Sequence, residues 1–327
     1  MTTFYPWQQD QWSHLLQRHH ANGLPHALLF TGPAGIGKLD FARILSQSLL
    51  CNQQDKNGQP CGVCKSCQLL ASGTHPDLDE VLPEEEGKAI KIDQIRALIE
   101  YLTLHSHYRG PRVVILSPAD KLNIAAANSL LKTLEEPRPG TLLMLITSQP
   151  TKLPATIRSR CQLVRFNPPE TEAALNWLRP QLPTPAAAEQ LLHMANGGPL
   201  LALEMATNGA IDEQQQFMQD LNDIAMGERD PLTTAAAWLK ATQANHLHWL
   251  YIWVCDMIKV RSGAAADSIA TGNGAALQSL AKTIDLKRLY AFLDKLGEAI
   301  RFQGTSANDR LTLEGLLILW ANLNPQR

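Results

Sequence analysis

The sequence has almost no excess of charge of either sign: 29 lysines and arginines stand against 31 aspartates and glutamates, a formal net charge of −2. That balance excludes a globally basic nucleic-acid coat, so any contact with a polyanion has to be local. There is no run of about 18 apolar residues, the length a membrane-spanning helix needs. Residues 1–7 offer neither the basic start nor the apolar core of a signal peptide. A cytoplasmic location without a membrane partner is therefore expected. Internal repeats and low-complexity tracts are also missing. What is present, 327 residues of which 45% are hydrophobic and 18% charged, suits two or three soluble domains, each with its own core.

Two further absences lie inside a motif. Residues 27–38 read Ala-Leu-Leu-Phe-Thr-Gly-Pro-Ala-Gly-Ile-Gly-Lys, an apolar strand entering a glycine-rich turn. Gly32, Gly35 and Gly37 allow several backbone N–H groups to converge on one anion, Lys38 adds a positive charge, and the helix that follows aims its positive end at the same place. A working phosphate loop continues with Ser or Thr, whose hydroxyl holds magnesium, but position 39 is leucine. The buried strand at 112–117, Arg-Val-Val-Ile-Leu-Ser, should likewise end in carboxylates that support the metal and orient water. It ends instead in Ser117-Pro118, and Asp120 is expected to cap the next helix. Two independent parts of a hydrolytic site are thus lacking.

Of six cysteines, four are grouped at Cys51, Cys61, Cys64 and Cys67. In a reducing compartment such spacing reads as metal ligands before disulfides. Four thiolates can close a tetrahedral Zn2+ site and leave no open position for water, so the metal is expected to be structural, stapling a module at 51–67. His75, before a proline, is read as a turn residue and not a fifth ligand. Cys255, in an apolar helical stretch, is read as a small core residue.

Alternating strand and helix patterns over residues 27–166 predict a doubly wound parallel sheet with ligands at the strand carboxyl ends. Helices are expected over 7–20, 39–50, 90–104 and 123–136, and strands at 78–82, 112–117, 141–147 and 162–166, with a solvated acidic turn at Glu84, Glu85 and Glu86. After Pro168-Pro169 the pattern becomes purely helical, with turns near 227–231 and 271–274. Trp238, Trp249, Trp253 and Trp320 fall at helical spacing without interleaved Lys or Arg, which favours core over a base-stacking platform. The fold class expected is α/β plus all-α, divided at 1–167, 168–208 and 209–327.

Asn128-Ser-Leu-Leu-Lys-Thr-Leu-Glu-Glu-Pro137, followed by Ile157-Arg-Ser-Arg-Cys161, resembles the clamp-loader subunits of bacterial DNA polymerase III. The cysteine insert, Thr74-His-Pro-Asp77 and Asn308-Asp-Arg-Leu-Thr-Leu-Glu-Gly-Leu-Leu317 fit the same family, and Tyr5-Pro6-Trp7 with the degenerate nucleotide motifs points to its delta-prime branch. The resemblance implies an AAA+ domain, a helical lid and a helical collar. It implies that Arg160, with Ser159, acts across a subunit boundary on ATP held by a neighbour, and that Cys161 is a buried strand residue. It implies that Leu200 stands where hydrolysing relatives carry a phosphate-sensing arginine, while Thr147 resembles their polar sensor. ATP or ADP would be bound at Gly32, Gly35, Gly37, Lys38 and Thr147 without hydrolysis, if at all. Implied partners are the gamma or tau and delta subunits, the sliding clamp and primed DNA. The competing readings are an active phosphate-loop ATPase or kinase using Lys38, and a zinc-dependent nucleic-acid-binding module.

Overall fold

The computed structural model describes residues 4–85, 87–104, 106, 110–239, 246–263, 274–302 and 309–323. Glu86, residues 271–273 of the expected turn and Asn308 lie outside them. The chain forms two compact units, Met1–Ala173 and Ala174–Arg327.

In the first unit five strands form one parallel sheet: β1 (Ala27–Thr31), β2 (Leu78–Val81), β3 (Arg112–Leu116), β4 (Thr141–Thr147) and β5 (Gln162–Arg165), in the order β2-β3-β4-β1-β5. The register pairs Leu28 with Met144 and Thr31 with Thr147, so the ends of β1 and β4 arrive together. Strands buried on both faces read as continuous apolar runs, and alternate residues divide between two cores. Leu28, Phe30, Val113, Ile115, Met144 and Val164 meet α1 (Gln9–His20) and α2 (Lys38–Leu50) through Trp12, Leu15, Phe41, Ile44 and Leu45. Leu29, Val81, Val114, Leu116, Leu143 and Leu145 join the opposite core with side chains of α4 (Ile92–Thr103), α5 (Ile124–Glu135) and α6 (Ala155–Arg158). A short helix, α3 (Lys65–Ala71), carries the end of the cysteine segment.

Among the described residues the second unit contains helices and no strand. Residues on α7 (Thr171–Leu178), α8 (Ala188–Met194) and α9 (Pro199–Thr207) form one apolar cluster around Leu175, Leu178 and Leu191. A larger cluster gathers α10 (Ala210–Met226), α11 (Pro231–Trp238), α12 (His246–Arg261), α13 (Gly274–Thr283), α14 (Leu286–Phe302) and α15 (Asp309–Ala321). Trp238, Trp249, Trp253 and Trp320 are all buried in it, as core residues. Trp320 also donates its Nε1–H to the Leu221 carbonyl at 2.8 Å, tying α15 to α10. Among the described residues no helix is long and apolar enough to cross a membrane.

Three local expectations are corrected. Asp120 does not cap α5; it lies in a 3-10 turn over Ala119–Lys121, and the cap is Asn123, whose side chain accepts the Ala126 N–H. Cys161 precedes β5 by one residue and is half-buried, because the chain is still leaving the turn after α6. Cys255 is half-buried on α12, at the margin of the core.

Phe41 has no exposure and meets Trp12, Phe30 and Phe166 edge-on, so it closes the core between α2 and the sheet. Phe41→Ala should destabilise the first unit by about 3–5 kcal/mol, read as a lower urea midpoint of its unfolding.

Candidate functional site

The glycine-rich turn leaves the carboxyl end of β1 and enters α2 at Lys38. Gly32 has φ +151°, and a Cβ there would strike the Phe166 carbonyl oxygen. Gly37 has φ +80°, and a Cβ there would strike the Tyr5 ring. Both glycines are therefore required by backbone conformation and by close approach.

The lysine and several carbonyls of the turn have partners within the chain. Lys38 is only 6% exposed, and its Nζ donates to Gly32 O at 2.8 Å, Pro33 O at 2.5 Å and Ser148 Oγ at 3.0 Å. An ammonium has three N–H donors, and all three are used within the chain. The segment before α1 lies against the other side of the turn. Trp7 Nε1 donates to Ile36 O at 3.0 Å, and the buried Gln8 amide donates to Ile36 O and Gly37 O at 2.8 and 2.9 Å. Tyr5 donates its hydroxyl to Asp40 at 3.0 Å. Burial and that carboxylate push the phenol up to about 12.

Thr147, fully buried at the end of β4, donates its hydroxyl to Asp120. Asp120 thus faces the turn, and its charge also acts on Lys38. The sequence reading missed this because a carboxylate three residues past a strand ordinarily starts the next helix. Ser148, Gln8 and Tyr5 were missed for a different reason: they reach the turn through contacts 28 to 110 residues apart. Leu39 packs partly buried against the core around α2. Position 39 thus places a partly buried leucine where a metal-binding hydroxyl would stand, and the nearby carboxylate is engaged by Thr147.

The four grouped cysteines come together. Their sulfurs lie within 4.8 Å of one another. Cys51 Sγ and Cys64 Sγ are 4.0 Å apart, and Cys61 Sγ and Cys67 Sγ are 3.9 Å apart. These are not disulfide distances. They match the edge of a tetrahedron with metal–sulfur bonds of about 2.3 Å, which is about 3.8 Å. Backbone N–H groups point at the sulfurs: Gln53 and Cys61 to Cys51, and Cys64 to Cys61, each at 3.3 Å, and Cys67 to Cys64 at 3.5 Å. Burial raises the Cys51 and Cys67 thiols. At Cys64 partial burial opposes the backbone donors, which prevail and hold it at about 6, and backbone donors also lower Cys61. The set fits one thiophilic cation. His75 is not a ligand; it is buried, with Nε2 on Ser66 Oγ at 2.9 Å.

Arg160 follows α6 in the turn leading to β5, an edge strand. Its Nη1 donates to Thr156 O at 2.9 Å and to Ser159 Oγ at 3.4 Å, and Nη2 meets Glu135 Oε1 at 2.5 Å. The side chain remains 34% exposed. Arg158, its neighbour, is also exposed. Burial drives the Cys161 thiol up to about 12, which removes it as a nucleophile.

Residues 7–170 match the family described as DNA polymerase III, delta subunit, and residues 208–322 match DNA polymerase III, delta subunit, C terminal. The chain is 35% identical over 329 aligned residues to the DNA polymerase III subunit delta' of Pseudomonas aeruginosa, covering 99% of each. The chain belongs to the DNA polymerase III delta-prime subunit family. It is also 34% identical to the Escherichia coli delta' subunit, over 80% of this chain and 78% of that one. A crystal structure of a DNA polymerase III gamma subunit-related protein from Thermotoga maritima is similar at 17% identity and a TM-score of 0.45, over 97% of this chain and 99% of that one. The five-stranded parallel sheet lies between two helical layers, and the cysteine cluster lies in the segment between α2 and β2.

Burial lowers the Lys38 ammonium to about 8 from its ordinary 10.5, although the Asp120 charge opposes this. Between those values the unfolded chain holds a proton that the folded chain has released, so this group makes stability rise with pH across that window. Lys38→Met lacks the group. The stability of the wild type relative to this variant should therefore increase from about pH 8 to about pH 10 in paired urea melts; a difference independent of pH would contradict the burial of a charged lysine.

Proposed function

We propose that this protein is a non-hydrolysing stator of the bacterial replicative clamp loader, lending Arg160 to the ATP site of an adjacent subunit while the sliding clamp is loaded at primed DNA. The reading rests on one contrast. Lys38 spends its donors on its own loop and on Ser148, whereas Arg160, in the Ser159-Arg160-Cys161 motif, keeps a partly exposed guanidinium beside the edge strand β5. Guanidinium stays charged at any working pH and spreads its charge over a planar fork, which suits phosphoryl oxygens that gain charge in the transition state. Ser159 accepts from Arg160 and helps orient it.

In this reading the helices of 168–208 form the lid and those of 209–327 the collar that assembles with gamma or tau and with delta, in the cytoplasm. The chain hydrolyses no ATP of its own. The four cysteines hold Zn2+, which would neutralise the clustered thiolates and fix Cys51 to Cys61, Cys64 and Cys67.

Two measurements test this. In a complex reconstituted with gamma and delta subunits, Arg160→Ala should lower turnover at the ATP site it serves by about tenfold or more, with assembly unchanged by gel filtration. Undiminished turnover would sink the arginine assignment. Elemental analysis of the purified chain should find about one zinc per molecule, and a metal-free protein with intact fold would refute the zinc assignment.

A further inference from the structure

The sulfur cluster is joined to the sheet by a buried chain of hydrogen bonds that the proposed stator role does not use. Ser66 lies on α3 between Cys64 and Cys67 and has no exposure. Its hydroxyl donates to the carbonyl of Leu50 at 2.6 Å, the residue just before Cys51. One serine thereby ties the two stretches of chain that carry Cys51 and the Cys64–Cys67 pair.

Ser66 is held in turn by His75. The Asp77 backbone N–H donates to His75 Nδ1 at 3.1 Å. A neutral ring that accepts at Nδ1 carries its proton on Nε2, so His75 Nε2–H donates to Ser66 Oγ at 2.9 Å. This direction matters: the serine proton goes to Leu50 and the histidine accepts nothing from it, so the pair is a structural relay and not a nucleophile with its base. Beyond His75 the relay reaches Asp77, which has no exposure and pairs with Arg112 of β3 at 3.5 Å. Arg112 donates to Tyr101 O at 2.8 Å, and Tyr101 donates its hydroxyl to Pro76 O at 2.9 Å, which brings in the end of α4.

We propose that His75 and Ser66 are positioning residues of the metal site, holding Cys64 and Cys67 in register with Cys51 from the sheet side, and that this is the role of the Thr74-His-Pro-Asp77 turn. The inference rests on the metal reading above. Outer partners of a metal site that fix its ligands typically govern affinity by about 10- to 100-fold, and here the partners fix the backbone that carries the ligands. Metal occupancy is coupled in the same way to the first residues of β2 and β3.

The test is zinc release from the full chain into a chromophoric chelator at neutral pH, with hydrogen exchange over 77–81 and 112–116 before and after release. Ser66→Ala and His75→Ala should release zinc about 10- to 100-fold faster than the wild type, and stripping the wild type should speed exchange in both segments. His75→Gln, which keeps a donor toward Ser66, should recover slow release in part. Ser66→Ala removes a single oxygen, so it answers the question even if His75→Ala does not fold. Wild-type release rates in Ser66→Ala, equal rates for His75→Gln and His75→Ala, or unchanged exchange after stripping would each overturn the proposal. A wild-type chain that binds no zinc would instead defeat the metal reading on which it stands.

Discussion

Asp77 and Arg112 form an ion pair with almost no exposure at the amino ends of β2 and β3, and groups from the end of α4 and the segment after it converge on it. Burying two charges costs several kcal/mol each after relaxation, and mutual attraction offsets this only when further hydrogen bonds complete both groups. Here two hydrogen bonds and a ring contact add to the pair. Ser106 donates to the carboxylate at 3.0 Å, the Tyr101 carbonyl accepts from the guanidinium, and the Tyr101 ring lies 4.4 Å from its centre. The end of α4, the turn before β2 and the start of β3 are therefore fixed relative to one another by polar geometry as well as by apolar packing. A hydrophobic pair could give similar stability there, but not the same directional control.

The other end of the sheet follows the opposite rule. At the carboxyl ends of β1 and β4, where parallel sheets of this kind hold ligands, the lysine, the threonine and several turn carbonyls find partners within the chain. Lys38 is bonded to its own loop and to Ser148, Thr147 to Asp120, and the Ile36 and Gly37 carbonyls to Gln8. Each bond is worth only about 1 kcal/mol net. A ligand that took the Lys38 ammonium would nonetheless have to replace its three bonds.

How much of this was legible in the sequence depended on the range of the interaction. Strand β4 runs over Thr141–Thr147 as its apolar run predicts, and the tetrahedral cysteine set follows from spacing alone. Both signals are local. Asp120 was misread because a 3-10 turn intervenes before α5 and hands the cap to Asn123. His75 was read as a turn residue because nothing in Thr-His-Pro-Asp says that Ser66, nine residues earlier, folds back onto it. The Tyr5–Gln8 segment carries no composition that marks it as a partner of the glycine-rich turn, since Trp7 and Gln8 donate to backbone carbonyls. Periodicity specifies which face is buried; it does not specify which distant carbonyl a buried amide will meet.

The contrast between Lys38 and Arg160 then has a simple physical basis. A lysine ammonium has three donors at one point, and three internal acceptors exhaust it. A guanidinium has five donors spread over a planar fork. Arg160 commits Nη1 and Nη2 to Thr156, Ser159 and Glu135, and none of those bonds involves its Nε–H. Its side chain is therefore tethered in orientation while a third of it still faces solvent. Exposed pairs such as Arg160–Glu135 contribute at most about 1 kcal/mol, so the tether orients the group without binding it irreversibly. On the proposed reading, that difference in donor number and spread lets one protein abandon phosphate chemistry at its lysine and keep it at its arginine.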